Sequence, residues 1–319
     1  MTPQLLFDLR GKRIFVAGHR GLAGSAIVRR LKQENCEILT ADRNVLDLTN
    51  QEATESWLEK SRPDAIFLAA GRVGGIHANN TYSADFIAIN LAIALNVIRG
   101  AHATGVQKLL ALGSSCVYPK YAEQPIKEDM LLTAPLEPSN QWYAVAKIAA
   151  IKLCEAYRRQ FDDDFISVMP PNLYGSNDNY HPLDSHVAAA LIRRFHEAKL
   201  SNAPAVTVWG SGKPRREFMA ADDLADACVF VMKYYSDDRL LNVGVGTDVT
   251  IDEFARVVAK TVGYRGGINY DMSRPDGSPQ KLLDISRLKK LGWSPKIPLS
   301  EGLALAYKDF LATGGRVPA

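Results

Sequence analysis

Lys12-Arg-Ile-Phe-Val-Ala17 runs straight into Gly18-His-Arg-Gly21-Leu-Ala-Gly24. Ser25–Leu31 follows, with apolar Ala26, Ile27 and Leu31 set against polar Arg29, Arg30 and, just beyond, Lys32. An apolar run, a glycine turn and an amphipathic segment read as strand, loop and helix. Glycines there let the backbone approach a pyrophosphate, whose charge meets free N–H groups at the helix start. A glycine triplet alone is equally a tight turn; the strand–helix setting makes it a cofactor loop. Working outward, Cys36-Glu-Ile-Leu-Thr40 is a second strand, ending at Ala41-Asp42-Arg43, where an adenosine ribose is read. Asp42 would accept from both ribose hydroxyls and favour NAD, whereas Arg43 with Arg20 would pair with a 2′-phosphate. Two guanidiniums outweigh a carboxylate that can turn to solvent, so NADPH is expected. Asp64–Gly71 and Lys108–Gly113 are two further buried-type strands, and Thr81–His102 reads as one long helix between them. Such alternation predicts an α/β fold with a doubly wound parallel sheet.

Composition narrows the function classes. The 319 residues are 47% hydrophobic and 23% charged, and the net charge is only +3. Those values fit a globular chain and exclude collagen-like or disordered classes. So small a basic excess argues against a nucleic-acid partner, while a pI near 8.5 leaves room for a local basic patch toward a small anion. The longest charge-free apolar stretch, Phe86–Ile98, spans 13 residues, short of the about 17–25 a membrane span needs. The N-terminal stretch has no secretory pattern. The four cysteines (Cys36, Cys116, Cys154, Cys228) are widely spaced, which suggests a reducing, cytoplasmic setting.

Beyond the strand ending at Gly113 comes Ser114-Ser-Cys116-Val-Tyr-Pro119, and Pro138-Ser-Asn-Gln-Trp-Tyr143-Ala-Val-Ala-Lys147 opens a helix that Ser139 or Asn140 can cap. Tyr143 and Lys147 stand one turn apart on one face. An ammonium beside a phenol should draw its pKa down from about 10. Such a phenol can protonate a carbonyl oxygen while hydride reaches carbon, and Lys147 can also bond the nicotinamide ribose.

The glycine loop, Ser114 and Tyr143-x-x-x-Lys147, taken in that order, resemble the extended short-chain dehydrogenase/reductases that act on nucleotide sugars. Pro170-Pro-Asn172-Leu173-Tyr-Gly175 fits the segment beside the nicotinamide in that family. GHRGLAGSAI, VGGIHANNTY, GSSCVYPK, AKIAAIKLCEAY, NLYG with HPLDSHV, RRFHEA, VWGSGKPRREF and KLLDISRLKKLGW, between residues 18 and 293, resemble one branch of it more finely. The resemblance implies a Rossmann-type sheet with a smaller, interleaved α/β substrate-binding domain. It also implies a two-stage reaction on a GDP-sugar: 3,5-epimerisation of GDP-4-keto-6-deoxy-D-mannose, then NADPH-dependent reduction at C4 to GDP-L-fucose. Cys116 is then the base and His186 the acid of epimerisation, and Ser114, Tyr143 and Lys147 serve reduction. If Ser114–Cys116 is extended, Ser114 and Cys116 face one side and Ser115 the other. The free pKa values of cysteine and histidine, about 8.5 and about 6.5, suit these proton transfers. Expected cofactor contacts are Gly18, His19, Arg20, Gly21, Leu22, Ala23, Gly24, Arg43, Ala70, Lys147, Pro170, Asn172, Leu173 and His186.

For the substrate, the resemblance points to Arg194, Trp209, Arg216 and Lys281, with Asp276 as a polar partner. Arg193 and Arg215 should point elsewhere. Asp222-Asp223 lacks nearby His or Cys, so no metal site is expected and a helix cap is the better reading. Residues 1–170 should form the NADP-binding unit, with returning segments near 215–247, and residues 171–319 the substrate unit. Leu240–Val245 is a strand candidate and Ile251–Val262 a helix. Tyr121–Asn140 and Tyr264–Gln280 read as mobile flaps. Alanine-rich faces on Thr81–His102 and Tyr143–Gln160 suggest a homodimer through a four-helix bundle. The rival readings are a single-step nucleotide-sugar 4-epimerase or reductase, including a colitose-type synthase, and a non-catalytic NADP-binding protein. The intact Ser114, Tyr143 and Lys147 argue against the last.

Overall fold

The computed structural model describes residues 3–317. Its first half alternates strand and helix: β1 (Arg13–Ala17), α1 (Leu22–Leu31), β2 (Glu37–Leu39), α2 (Gln51–Ser61), β3 (Ala65–Leu68), α3 (Ile76–Thr81), α4 (Ser83–Ala103), β4 (Lys108–Leu112), α5 (Gln141–Phe161) and β5 (Asp164–Met169). The chain continues through β6 (Asn172–Tyr174), α6 (Val187–Leu200), β7 (Ala205–Trp209), β8 (Arg215–Arg216), β9 (Phe218–Ala220), α7 (Ala221–Tyr234) and β10 (Leu241–Asn242). It ends with β11 (Val249–Thr250), α8 (Ile251–Val262), β12 (Gly267–Asp271), β13 (Gln280–Lys281), α9 (Ser286–Leu291) and α10 (Leu299–Thr313).

Six parallel strands form the main sheet in the order β10-β5-β4-β3-β1-β2. Every residue of β3 and β4 is buried, because helices cover both faces; that is why Ala65–Leu68 and Leu109–Leu112 read as unbroken apolar runs, and the one buried charge, Lys108, is paired with Asp164 at 2.8 Å. One face packs Ile14, Val16 and Phe67 under Ala26, Ile27 and Leu31 of α1 and Leu224, Cys228 and Met232 of α7. The other packs Phe15, Ile66, Leu68 and Leu109 against Leu58 of α2, Val97 and Ile98 of α4, and Ala150 and Cys154 of α5. The strand order turns back between β1 and β3, which opens a crevice at their carboxyl ends. A second core joins α6, α8 and α10 to β7 and β9, with Phe218 and Phe254 stacked 3.7 Å apart.

Several boundaries differ from the sequence reading. The long helix is α4, starting at Ser83 rather than Thr81; a separate short helix, α3, precedes it and was not read from the sequence, and the two are set apart at Tyr82, whose ψ of 39° leaves the helical region. α4 is, by length and composition, apolar enough to cross a membrane, with a mean hydropathy of 1.5. Here it is a core helix, lying against α2, α5 and β3 with Arg99 bonded to Glu55. The 240–245 strand shrinks to β10. Neither Asp222 nor Asp223 caps α7, which begins earlier, at Ala221. Asp222 instead takes the Arg29 guanidinium, and Asp223 accepts the Lys296 and Ile297 N–H groups. Part of the 264–280 segment is β12, paired with β7; its end is tied to the 121–140 loop by Gln124 Nε2, which donates to the Gln280 carbonyl at 3.3 Å, and the chain just beyond it by an Ile126–Leu283 bridge.

Candidate active site

The glycine loop sits at the end of β1. Gly18 has φ +86°, and a Cβ there would lie 2.6 Å from the Ala70 nitrogen, against the end of β3. A Cβ on Gly24 would strike the Gly18 carbonyl oxygen at 2.1 Å, so α1 approaches the loop only because position 24 is bare. Gly21 leads α1 without a side-chain cap, leaving the first-turn N–H groups of the helix available to an anion. The loop therefore fits a pyrophosphate. Around the ribose position the carboxylate does not turn to solvent as expected. Asp42 is held by His19 Nε2 at 3.1 Å and Arg20 Nη2 at 2.5 Å, while Arg43 is 79% exposed, with its nearest acid, Asp47, at 4.0 Å. The carboxylate is neutralised and one guanidinium stays open, which suits a 2′-phosphate better than free ribose hydroxyls.

Ser114 and Cys116 are brought together by a route other than strand alternation. Ser114 is extended, but Ser115–Val117 is a 3₁₀ turn, and Ser114 Oγ accepts the Cys116 N–H at 3.3 Å. The turn is fixed from behind by the Ser115 N–H to the Pro170 carbonyl at 2.9 Å, which also seats the Pro170–Leu173 segment beside it. Two donors reach the Cys116 sulfur: Asn140 Nδ2 at 3.2 Å and Lys281 Nζ at 3.6 Å.

α5 carries Tyr143 and Lys147. Lys147 Nζ donates to the Leu112 carbonyl at 2.8 Å and lies 5.7 Å from the Tyr143 ring centre. Burial works on both groups, and against the expected direction for the tyrosine. The phenol is pushed well above its ordinary value by burial and by the neighbouring Cys116, while the ammonium falls to about 8 through burial. Tyr143 is thus a neutral phenol, able to give a proton rather than take one. Neither expected cap serves α5: the Asn140 side chain caps nothing, and Ser139 bonds Glu137 instead.

His186 precedes α6 with its side chain exposed, yet protein crowds it closely enough to hold its imidazole below the usual value. Its segment is docked on the loop after β3. The Gly75 N–H donates to the Asp184 carbonyl at 2.9 Å, and His77 Nδ1 pairs with the Asp184 carboxylate at 3.0 Å. α3 in turn packs on Pro138–Asn140.

β8 and β13 lie in register, with Arg216 opposite Lys281. Arg216 is half-buried, its guanidinium donating to the Arg215 carbonyl at 2.8 Å and the Asp276 carbonyl at 3.2 Å, and burial lowers it against the pull of Cys116 and Asp276. Beneath it Glu217 accepts the N–H groups of Val245, Gly246 and Leu283 at 2.6, 2.7 and 2.9 Å, and burial raises its carboxyl to about 7. Arg193 and Arg215 do point elsewhere, to Glu197 and Asp248. Asp276 is a loop clamp rather than a free partner: its carboxylate takes the Ser211 N–H at 2.7 Å and hydroxyl at 2.8 Å. Trp209 carries the Arg194 guanidinium at 4.8 Å from its ring centre and Arg274 at 4.9 Å. Sequence reasoning passed over Arg274 and Glu217 and read Asn140 only as a helix cap. Only the alternation of Arg216-Glu217 before apolar Phe218-Met219-Ala220 hinted at a buried carboxylate. Among the described residues no cluster of His, Cys, Asp or Glu could hold a metal.

Comparison with known proteins accords with this layout. Residues 14–244 match the model of the NAD dependent epimerase/dehydratase family. A GDP-L-fucose synthase of Sinorhizobium fredii is 53% identical over 97% of this chain and 98% of its own length. GDP-L-fucose synthase 1 of Arabidopsis thaliana is 55% identical over 95% of this chain and 94% of its own. The crystal structure of a GDP-L-fucose synthetase from Naegleria fowleri bound to NADP superposes with a TM-score of 0.89 at 25% identity, covering 99% of this chain and 98% of that one. With a crevice at the β1/β3 reversal, a bare glycine loop and a Ser–Tyr–Lys set at its edge, the chain belongs to the NAD dependent epimerase/dehydratase family, in the group of the GDP-L-fucose synthases.

Proposed function

We propose that this enzyme converts GDP-4-keto-6-deoxy-D-mannose to GDP-L-fucose with NADPH, by epimerisation at C3 and C5 followed by reduction at C4. The observation that carries the reading is the Cys116 sulfur, set beside Tyr143 and given two N–H donors from separate elements. A plain 4-reductase has no use for a thiolate at that position.

A 4-ketone acidifies the hydrogens on C3 and C5. The Cys116 thiolate removes one of these protons, and the electron pair moves onto the C4 oxygen as an enolate. The His186 imidazolium returns a proton to the opposite face, so the carbon is inverted; proton exchange with solvent then restores the thiolate and the imidazolium, and the second carbon is inverted in the same way. The depressed histidine pKa makes it a strong acid whose charged form is scarce at neutral pH. For reduction, NADPH supplies a hydride to C4 when bound. Tyr143 gives its phenol proton to the C4 oxygen, Ser114 donates a hydrogen bond to that oxygen, and the Lys147 ammonium stabilises the phenolate left behind. Arg194, Trp209, Arg216 and Lys281 would hold the GDP moiety, and Arg43 the 2′-phosphate. The cofactor unit is residues 1–170 with returning segments near 215–247. A homodimer through α4 and α5, in the cytoplasm, completes the reading.

The test is incubation of the enzyme with the keto-sugar in deuterated water, with and without NADPH, followed by NMR. NADPH-dependent GDP-L-fucose with label at C3 and C5, lost in Cys116→Ala, is expected. Ketone reduction without label at either carbon would leave a simple 4-reductase.

A further inference from the structure

We propose that Asn140 is a positioning residue for the thiolate of Cys116, an inference that rests on the epimerase reading above. Asn140 stands at the N-cap of α5, where asparagine is among the favoured residues because its side-chain oxygen can accept a first-turn N–H. It makes no such bond. Its Nδ2 turns away from the helix to Cys116 Sγ at 3.2 Å, and its Oδ1 is buried without a partner. A half-buried amide that forgoes its cap bond and leaves its buried carbonyl oxygen without a partner is poorly explained by stability, since unsatisfied buried acceptors are destabilising. The contact it keeps is the one to sulfur. A neutral thiol is a weak acceptor, whereas a thiolate is a strong one and is favoured by donors and cations around it. Asn140 from the start of α5 and Lys281 from β13 approach that one atom, so the sulfur is fixed between the two units of the molecule. The amide contributes a donor without adding charge, and its backbone holds it three residues before Tyr143, which links the base of epimerisation to the acid of reduction through one helix start.

The experiment compares wild type, Cys116→Ala, Asn140→Ala and the near-isosteric Asn140→Asp. Deuterium wash-in at C3 and C5 is read without NADPH, together with iodoacetamide labelling of Cys116 at neutral pH, GDP affinity and the thermal midpoint. Both Asn140 variants are expected to lose about tenfold or more in wash-in, the effect of one lost hydrogen bond to a charged acceptor, while binding GDP as wild type does. Asn140→Asp, which sets a carboxylate against the sulfur, is expected to slow labelling by a similar factor. A purely structural role would instead lower the thermal midpoint and GDP affinity and leave labelling unchanged in Asn140→Asp; that pattern overturns the proposal. Wash-in at the wild-type rate in both variants overturns it as well. Absence of wash-in in the wild type overturns the epimerase reading and this inference with it.

Discussion

Lys147 is an ammonium that the fold pays to keep. Replacing it with methionine, which fills the same channel without charge, should make the resting protein more stable while removing its reductase activity. The fall of the ammonium from 10.5 to about 8 corresponds to about 3 kcal/mol at about 1.4 kcal/mol per pH unit. Losing the bond to the Leu112 carbonyl gives back about 1 kcal/mol, leaving a gain of about 2 kcal/mol at pH 7. The sign with pH is opposite to that of a salt-bridged lysine. Below pH 8 both folded and unfolded states are protonated and the cost is fully present. Between about 8 and 10.5 the unfolded chain binds the proton and the folded one does not, so wild-type stability rises with pH relative to the variant. By pH 9.5 the wild type should recover about 2 kcal/mol and close the gap. Urea unfolding followed by circular dichroism at both pH values measures this, and other titrations cancel in the difference. A gap that stays constant between pH 7 and pH 9.5, or a variant less stable at pH 7, would refute the claim that Lys147 is an unpaired buried charge. It would then be one more surface-like lysine, with no stored electrostatic energy for catalysis to use.

Gly24→Ala sets a methyl 2.1 Å from the Gly18 carbonyl, so α1 must move off the loop; NADPH binding should be lost and the thermal midpoint should drop by several degrees in calorimetry. Arg43→Ala should raise the KM for NADPH about tenfold and leave NADH use unchanged, because the exposed guanidinium has no internal structural bond to lose. The His186 imidazole should titrate with a midpoint below the ordinary histidine value of about 6.5 when its ring C–H signals are followed by NMR, since crowding disfavours the imidazolium. His186→Gln should remove those signals and abolish deuterium wash-in at C3 and C5; wash-in at the wild-type rate would remove His186 from proton return.

Local patterns in the chain carried much of the architecture. The run from Lys12 to Leu31 specifies strand, loop and helix by itself, because glycine spacing and a 3.6-residue apolar period are local properties. Ile251–Val262 was legible to the residue, since Thr250 and Glu253 form a capping box and Gly263 ends the helix. Segment 114–117 was not. Its 3₁₀ turn depends on the Pro170 carbonyl more than fifty residues away, which no local pattern records. The break at Tyr82 was hidden for a similar reason: α3 must leave the axis of α4 to place Gly75 against Asp184 and His77 in reach of its carboxylate.

Charge states were the least legible. Tyr143 and Lys147 at one-turn spacing suggest a lowered phenol, because the pair is considered alone. Burial, which only the packed molecule provides, raises the phenol and lowers the ammonium. Likewise Asp42 and Asp276 look like free carboxylates until their partners from the glycine loop and the 210–213 turn are in place. The sequence by itself determined which residues are available for chemistry, the sheet's parallel winding and the glycine loop, because these follow from covalent structure and short-range geometry. Tertiary structure alone decided which side chains meet and which protons they hold, because both depend on desolvation and on neighbours far apart along the chain.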